Sequence, residues 1–142
     1  MNQAFRIGTG LSAQDEREIA AVLIAYASAI DQRDWRLLHS LFTYDCDVDY
    51  GSFGKWHGAK ALTEYLKRSH AELGASLHRI SNIGISALDG IVHARSYVDA
   101  VLTPMNPGGP LHHGVGYYDD QFTRSGNGWQ IARRRFHAVL IE

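Results

Sequence analysis

The chain has 142 residues, 45% hydrophobic and 20% charged, a composition that fits one globular domain and excludes a disordered segment. Lys plus Arg is 14 and Asp plus Glu is 15, a formal net charge of -1 that argues against nucleic acid as a partner. The single cysteine, Cys46, excludes an internal disulfide and a cysteine-based zinc site. With no apolar run long enough to span a bilayer, the expectation is a soluble cytoplasmic domain.

In chain order, residues 1–12 look loosely held. Ile19, Val22, Leu23, Tyr26 and Ile30 then recur at spacings of three and four, which predicts a helix from Ala13 with one apolar face. Ser12 is placed to cap it, with Asp15 and Glu16 at its positive end. Asp34 is placed to cap a short second helix carrying Trp35, Leu38, Leu41 and Phe42. The stretch DCDVDYGSFG reads as strand and turn, and Gly58 to Leu73 as a third helix with Leu62, Tyr65, Leu66 and Leu73 inward.

Strands follow. Leu77 to Leu88 and Ile91 to Leu102 flank Asp89-Gly90, a strong hairpin dipeptide. Leu111 to Arg124 and Trp129 to Ile141 flank Ser-Gly-Asn-Gly. Three helices before a meander predict an α+β domain, its helices packed on one face of a curved, mostly antiparallel sheet. Small or polar residues on the concave face would leave that sheet enclosing a pocket.

Three segments carry a resemblance: YASAIDQRDWRLLHSLFTYDCDVDYGSF, SLHRISNIGI and GVGYYDDQFTRSGNGWQIARRR. Over roughly residues 13 to 137 the chain resembles the nuclear transport factor 2-like superfamily, in its SnoaL-like and scytalone dehydratase-like branch. The resemblance implies a cone-shaped α+β barrel made by one domain over residues 1–142. In the dehydratase and dehydrochlorinase members an aspartate after the first helix orients a histidine base on the sheet. Asp31 and His78 match those positions, and Tyr26 and Tyr50 match pocket tyrosines. The chain departs from scytalone dehydratase at Ile30, where that enzyme has a second tyrosine, and near Val101, Gly116 and Tyr118. The dehydrochlorinase lysine falls at Tyr26, while its arginine matches Arg133.

An imidazole near its ordinary pKa of ~6.5 can take up a proton and return it at neutral pH. A carboxylate on its other nitrogen fixes the tautomer and stabilises the imidazolium. On the residues alone, His78 reads equally as a core histidine and Asp31 as a turn residue; the resemblance assigns both to a site. Tyr26 lies on the apolar helix face, so its hydroxyl needs a partner. Tyr50 shares strand parity with Val48, and Tyr118 with Gly116 and Asp120. Trp35, Phe53, Trp56 and Tyr97 are candidates for an aromatic pocket wall. Arg133 shares parity with Trp129 and Ile131, so it is expected inward, to bind an anionic group or pair with Asp120; Arg134 is expected outward.

Other motifs carry less. Gly8 to Ala13 matches G-x-G-x-x-A but lacks the preceding strand of a nucleotide site. His112 and His113 would face opposite ways along a strand, a poor chelating pair. Acidic neighbours of Cys46 raise its thiol pKa, against a nucleophilic role.

The combined reading is a cofactor-free, metal-free lyase that takes a proton from a small aromatic or cyclic substrate through His78 and Asp31. Tyr26 and Tyr50 would polarise the substrate or assist departure of water or halide. An isomerase or a carbon–carbon lyase could use the same dyad; a ligand-binding module or an oxygenase small-subunit-like protein could use the same fold. Alternation puts Arg79, Arg95, Tyr117 and Asp119 on the outer sheet face, where self-association is expected, as a trimer by resemblance.

Overall fold

The structure, a computed structural model, describes residues 10–126 and 128–142. Helix α1 (Ala13–Gln32) starts as its sequence predicts: the Ser12 side chain accepts from Asp15 N, and the Asp15 carboxylate reaches back to Ser12 N. Its stripe of Ile19, Leu23, Tyr26 and Ile30 is buried. The helix stops at Arg33, whose φ of 58° is the left-handed conformation. A residue with a Cβ meets a cost there, roughly 1–2 kcal/mol. The Arg33 guanidinium offsets it by donating to Ile30 O, Gly74 O and Ser76 Oγ at 2.7–2.8 Å, clipping the helix end to the sheet.

Asp34 accepts from Leu37 N and starts α2 (Trp35–Ser40). Phe42, expected on that helix, instead opens β1 (Phe42–Asp49). Pairing with a later strand takes it over: Leu41 O accepts from Ile131 N, and Phe42 O accepts from the Gln130 side chain. A 3-10 turn (Gly51–Phe53) leads into β2 (Lys55–His57), a strand the sequence pattern does not disclose. Helix α3 (Ala59–His70) ends sooner than its periodicity suggests, because Leu73 begins β3 (Leu73–Leu88). The meander continues through β4 (Ile91–Pro104), β5 (His112–Ser125) and β6 (Gly128–Ile141). Asp89 and Gly90 both take positive φ, as a tight hairpin turn requires.

The strands form one curved sheet in the order β2-β1-β6-β5-β4-β3. Every pairing is antiparallel except β1 with β6. The sheet is unclosed: β2 and β3 are its edges, and the helices cover its concave face. The core lies between, where Leu23, Tyr26, Leu62 and Leu66 meet Phe42, Val48, Val98, Tyr118 and Ile131.

Two bulges decide which side chains reach this interior. In β3 the register slips between Ser81 and Gly84, with Asn82 at φ 51°. Inward residues therefore change from Ser76, His78 and Ile80 to Ile83, Ile85 and Ala87. In β6, Ile131 pairs with Phe122 and Arg133 with Gln121, leaving Ala132 as the extra residue. Arg133 is consequently exposed and Arg134 buried, the reverse of the strand-parity expectation. The outer-face assignment of Arg79, Arg95, Tyr117 and Asp119 fits their contacts: Arg95 pairs with Asp119 at 2.7 Å and lies 4.4 Å over the Tyr117 ring, and Arg79 pairs with Asp99.

Candidate active site

Past the packed core, the concave side keeps a cavity of about 370 Å³, within the size range of small-molecule sites. Its sheet wall holds small residues, Ala100 and Gly114 among them, where larger side chains would fill it. Gly116 has no room for a side chain, because a Cβ there would overlap the His137 carbonyl and the ring of Phe136, itself a lining residue. Tyr26, Ile30, Tyr50, Phe53, His70, His78 and Tyr118 face this space together.

Asp31 and His78 meet. Asp31 sits on the last turn of α1, and His78 on the inward parity of β3. The His78 ring Nδ1 is 2.7 Å from Asp31 Oδ1, and His78 N donates to Oδ2 at 2.8 Å. Ser76 Oγ donates to Oδ1 at 2.9 Å, and Ser76 is itself held by Arg33. Burial pushes the Asp31 carboxyl up, but the His78 ring, the His78 backbone and Ser76 outweigh it and hold the group below its ordinary value. An ionised Asp31 can only accept, so in the neutral ring Nδ1 carries the proton and Nε2 keeps the lone pair. That pattern is what a general base needs.

Tyr26 and Tyr50 also converge, hydroxyl to hydroxyl at 2.6 Å. Burial raises both phenols well above their ordinary value, so they are neutral donors. The pair does not stand alone: the Tyr118 hydroxyl also bonds Tyr26, and the Arg134 guanidinium also bonds Tyr50. Tyr118 packs edge-on to Tyr26 with ring centroids 5.7 Å apart.

Behind them lies a charged group that strand parity misplaced. Arg134 donates twice to Asp120, at 2.8 and 2.9 Å, with both side chains fully buried. Its guanidinium is 4.1 Å from the Tyr26 ring centroid and 3.8 Å from that of Tyr118. Burial acts against its charge, but the Asp120 carboxylate holds the guanidinium pKa above its ordinary value. The pairing with Asp120 expected of Arg133 is thus made by Arg134.

The other aromatic candidates separate. Phe53 lines the cavity, half exposed at its rim. Trp56 stands outside, stacked on Tyr65 at 3.9 Å and edge-on to Tyr50. Trp35 packs against the His70 ring, 6.1 Å between centroids. Tyr97 is on the outer sheet face, paired with Tyr117 across the strands and 48% exposed, so it cannot wall the pocket. Arg133 lines a separate, polar surface recess with Asp47, His57 and His137.

Three residues join the site without having been singled out. Ser76 and Arg33 fix the carboxylate and become visible only when α1 and β3 meet. His70 had a signal: it continues the Leu62, Leu66 stripe at i+4 on α3. His112 and His113 both border the cavity, but His113 Nε2 bonds Asp99 at 2.8 Å. Among the described residues no three His, Cys, Asp or Glu side chains gather as a metal site. No helix of the described residues is long and apolar enough to cross a membrane. Gly8 and Thr9 of the glycine motif lie outside the described residues, as does most of the segment expected to be loosely held.

Compared with known proteins, residues 12–135 match the family described as SnoaL-like domain. The chain is 31% identical over 125 residues to an uncharacterized protein of Mycobacterium tuberculosis, covering 84% of this chain and 82% of that one. A candidate scytalone dehydratase from Novosphingobium aromaticivorans superposes with a TM-score of 0.83 at 23% identity, over 91% of this chain and 87% of that chain. The hexachlorocyclohexane dehydrochlorinase LinA-type3 from Novosphingobium barchaimii gives 0.81 at 12% identity, over 91% and 89%. At such identities these two structures speak for a shared fold.

Proposed function

Because the chain belongs to the SnoaL-like domain family, we propose that it is a lyase in which His78 removes a carbon-bound proton from a small cyclic or aromatic substrate. The observation that carries this reading is the His78 ring at the cavity wall, its Nδ1 2.7 Å from a carboxylate with three donors. Nε2 takes the proton from a carbon activated by a neighbouring carbonyl or leaving group. The C–H electron pair becomes the new C=C bond as the leaving group departs with the electrons of its own bond. The imidazolium so formed lies beside Asp31, both side chains largely buried, where the opposite charge stabilises it.

A hydroxyl of the Tyr26–Tyr50 pair turns to donate to the departing oxygen or halide, or to the activating carbonyl. Arg134 supports it by fixing the Tyr26 and Tyr118 rings. His78 then returns its proton to the departing hydroxide or to water, which restores the neutral base. A positioned base of this kind contributes ~10²–10⁴ in rate, and the step needs no cofactor.

The test is mass-spectrometric turnover of pooled aromatic and cyclic hydroxy, halo and keto compounds, without added cofactor. Wild type and His78→Ala are run side by side. Loss of water or acid from a compound with wild type only is the expected result. Equal turnover by His78→Ala refutes the mechanism, and retention of compounds without any mass change assigns a binding module instead.

A further inference from the structure

From the hydrogen bonds of His70 we infer that this residue sets ligand specificity by accepting a hydrogen bond in the cavity, so that the site selects ring compounds bearing a hydroxyl donor. The inference rests on the reading of this cavity as the substrate site. His70 closes α3 and lines the cavity, with 9% of its surface exposed. Its Nδ1 is 2.8 Å from Leu66 O and 3.0 Å from Ser69 Oγ. A carbonyl only accepts, so Nδ1 carries the ring proton and Nε2 the lone pair.

No group of the described residues bonds Nε2, nor is it among the polar atoms sealed away without a partner. The cavity is where it must find one. Burial disfavours the charged ring, and the neighbouring His78 and Arg33 add to this, although the Leu66 carbonyl opposes it. At neutral pH His70 is therefore an acceptor and has no second proton to give.

The ring centroids of His70 and His78 are 6.2 Å apart. Two acceptor nitrogens thus face one small apolar space. His78 is occupied by the reacting C–H bond, which leaves His70 to meet a second group. A hydroxyl satisfies it. A halogen, an ether or a bare ring leaves the lone pair desolvated and unpaired, which a buried site penalises strongly.

The test uses matched ligands, the hydroxy and methoxy derivatives of naphthalene, indane and cyclohexane, with affinity measured by calorimetry at pH 7.5. Wild type is expected to prefer the hydroxy member of at least one pair by about 10- to 100-fold. His70→Phe should abolish that preference without weakening the methoxy ligand. His70→Gln, which places an acceptor near the position of Nε2, should restore part of it. No hydroxy preference in any pair, or a preference unchanged in His70→Phe with its melting temperature retained, overturns the inference. Wild type that discriminates but turns nothing over refutes the lyase reading and leaves the role of His70 standing. A lyase indifferent to the hydroxyl does the reverse.

Discussion

Asp31→Asn replaces one atom and should reverse the protonation pattern of His78. In the native site three donors converge on the carboxylate: His78 N at 2.8 Å, His78 Nδ1 at 2.7 Å and Ser76 Oγ at 2.9 Å. An asparagine oxygen can take the place of one carboxylate oxygen, but its NH2 must replace the other. If NH2 faces the His78 backbone, two donors collide; that N–H cannot turn away, so the oxygen has to remain there. The NH2 then faces Nδ1, which must give up its proton and accept. The ring proton moves to Nε2, and the cavity loses its base.

At least one bond to a charged acceptor is lost, about 1.5–3 kcal/mol. For a chain of this size that lowers the melting temperature by about 5–12 °C. Turnover should fall ~10²–10⁴-fold. The assay that needs no substrate is ¹⁵N–¹H correlation of the imidazole nitrogens, which separates the two neutral tautomers. The Nδ1–H form is expected in wild type and the Nε2–H form in Asp31→Asn. The folded-state pKa of Asp31 lies below its ordinary 3.8, so its stabilisation is complete above that value and fades as pH falls through the lower one. The stability gap between the two proteins should therefore shrink in acid. An Nε2–H tautomer in wild type, or no change in the variant, refutes the reasoning.

Two further outcomes follow from the packing. Asp120→Asn leaves the Arg134 charge buried without its partner and should cost ~3–5 kcal/mol, while Asp120→Asn with Arg134→Met should recover much of that in chemical denaturation; a double variant as unstable as the sum of the singles would disprove the coupling. Asp15 has a pKa of about 2, held down first by Arg124 and then by Ser12; Arg124→Ala should return it toward 3.8 in a carboxyl NMR titration and remove the stability that the native pair loses in acid near pH 2, and an unmoved value would sever Arg124 from the effect.

What could be read locally came through intact. The 3.6-residue stripe of Ile19, Leu23, Tyr26 and Ile30, the Ser12 and Asp34 caps and the Asp89-Gly90 turn all depend on neighbours a few residues away. The α+β class followed from their order. The pairing of Asp31 with His78 came from likeness to a family, because helical periodicity alone leaves Asp31 off the buried face.

Tertiary structure decided the rest, since those features depend on contacts between distant segments. Strand parity has period two only while the register holds, and one extra residue at Ala132 exchanges Arg133 for Arg134 on the inner face. Tyr97 shares the strand parity of the outer-face Arg95 and faces outward with Tyr117, while Tyr118, opposite Ser96, turns in against the cavity. The tautomer of His70 is fixed by Leu66 four residues back, but its significance depends on the sheet that brings His78 opposite. Sequence set which chemistry was available. Register and packing chose the side chains that share one space, because burial is a property of partners hundreds of atoms away along the chain.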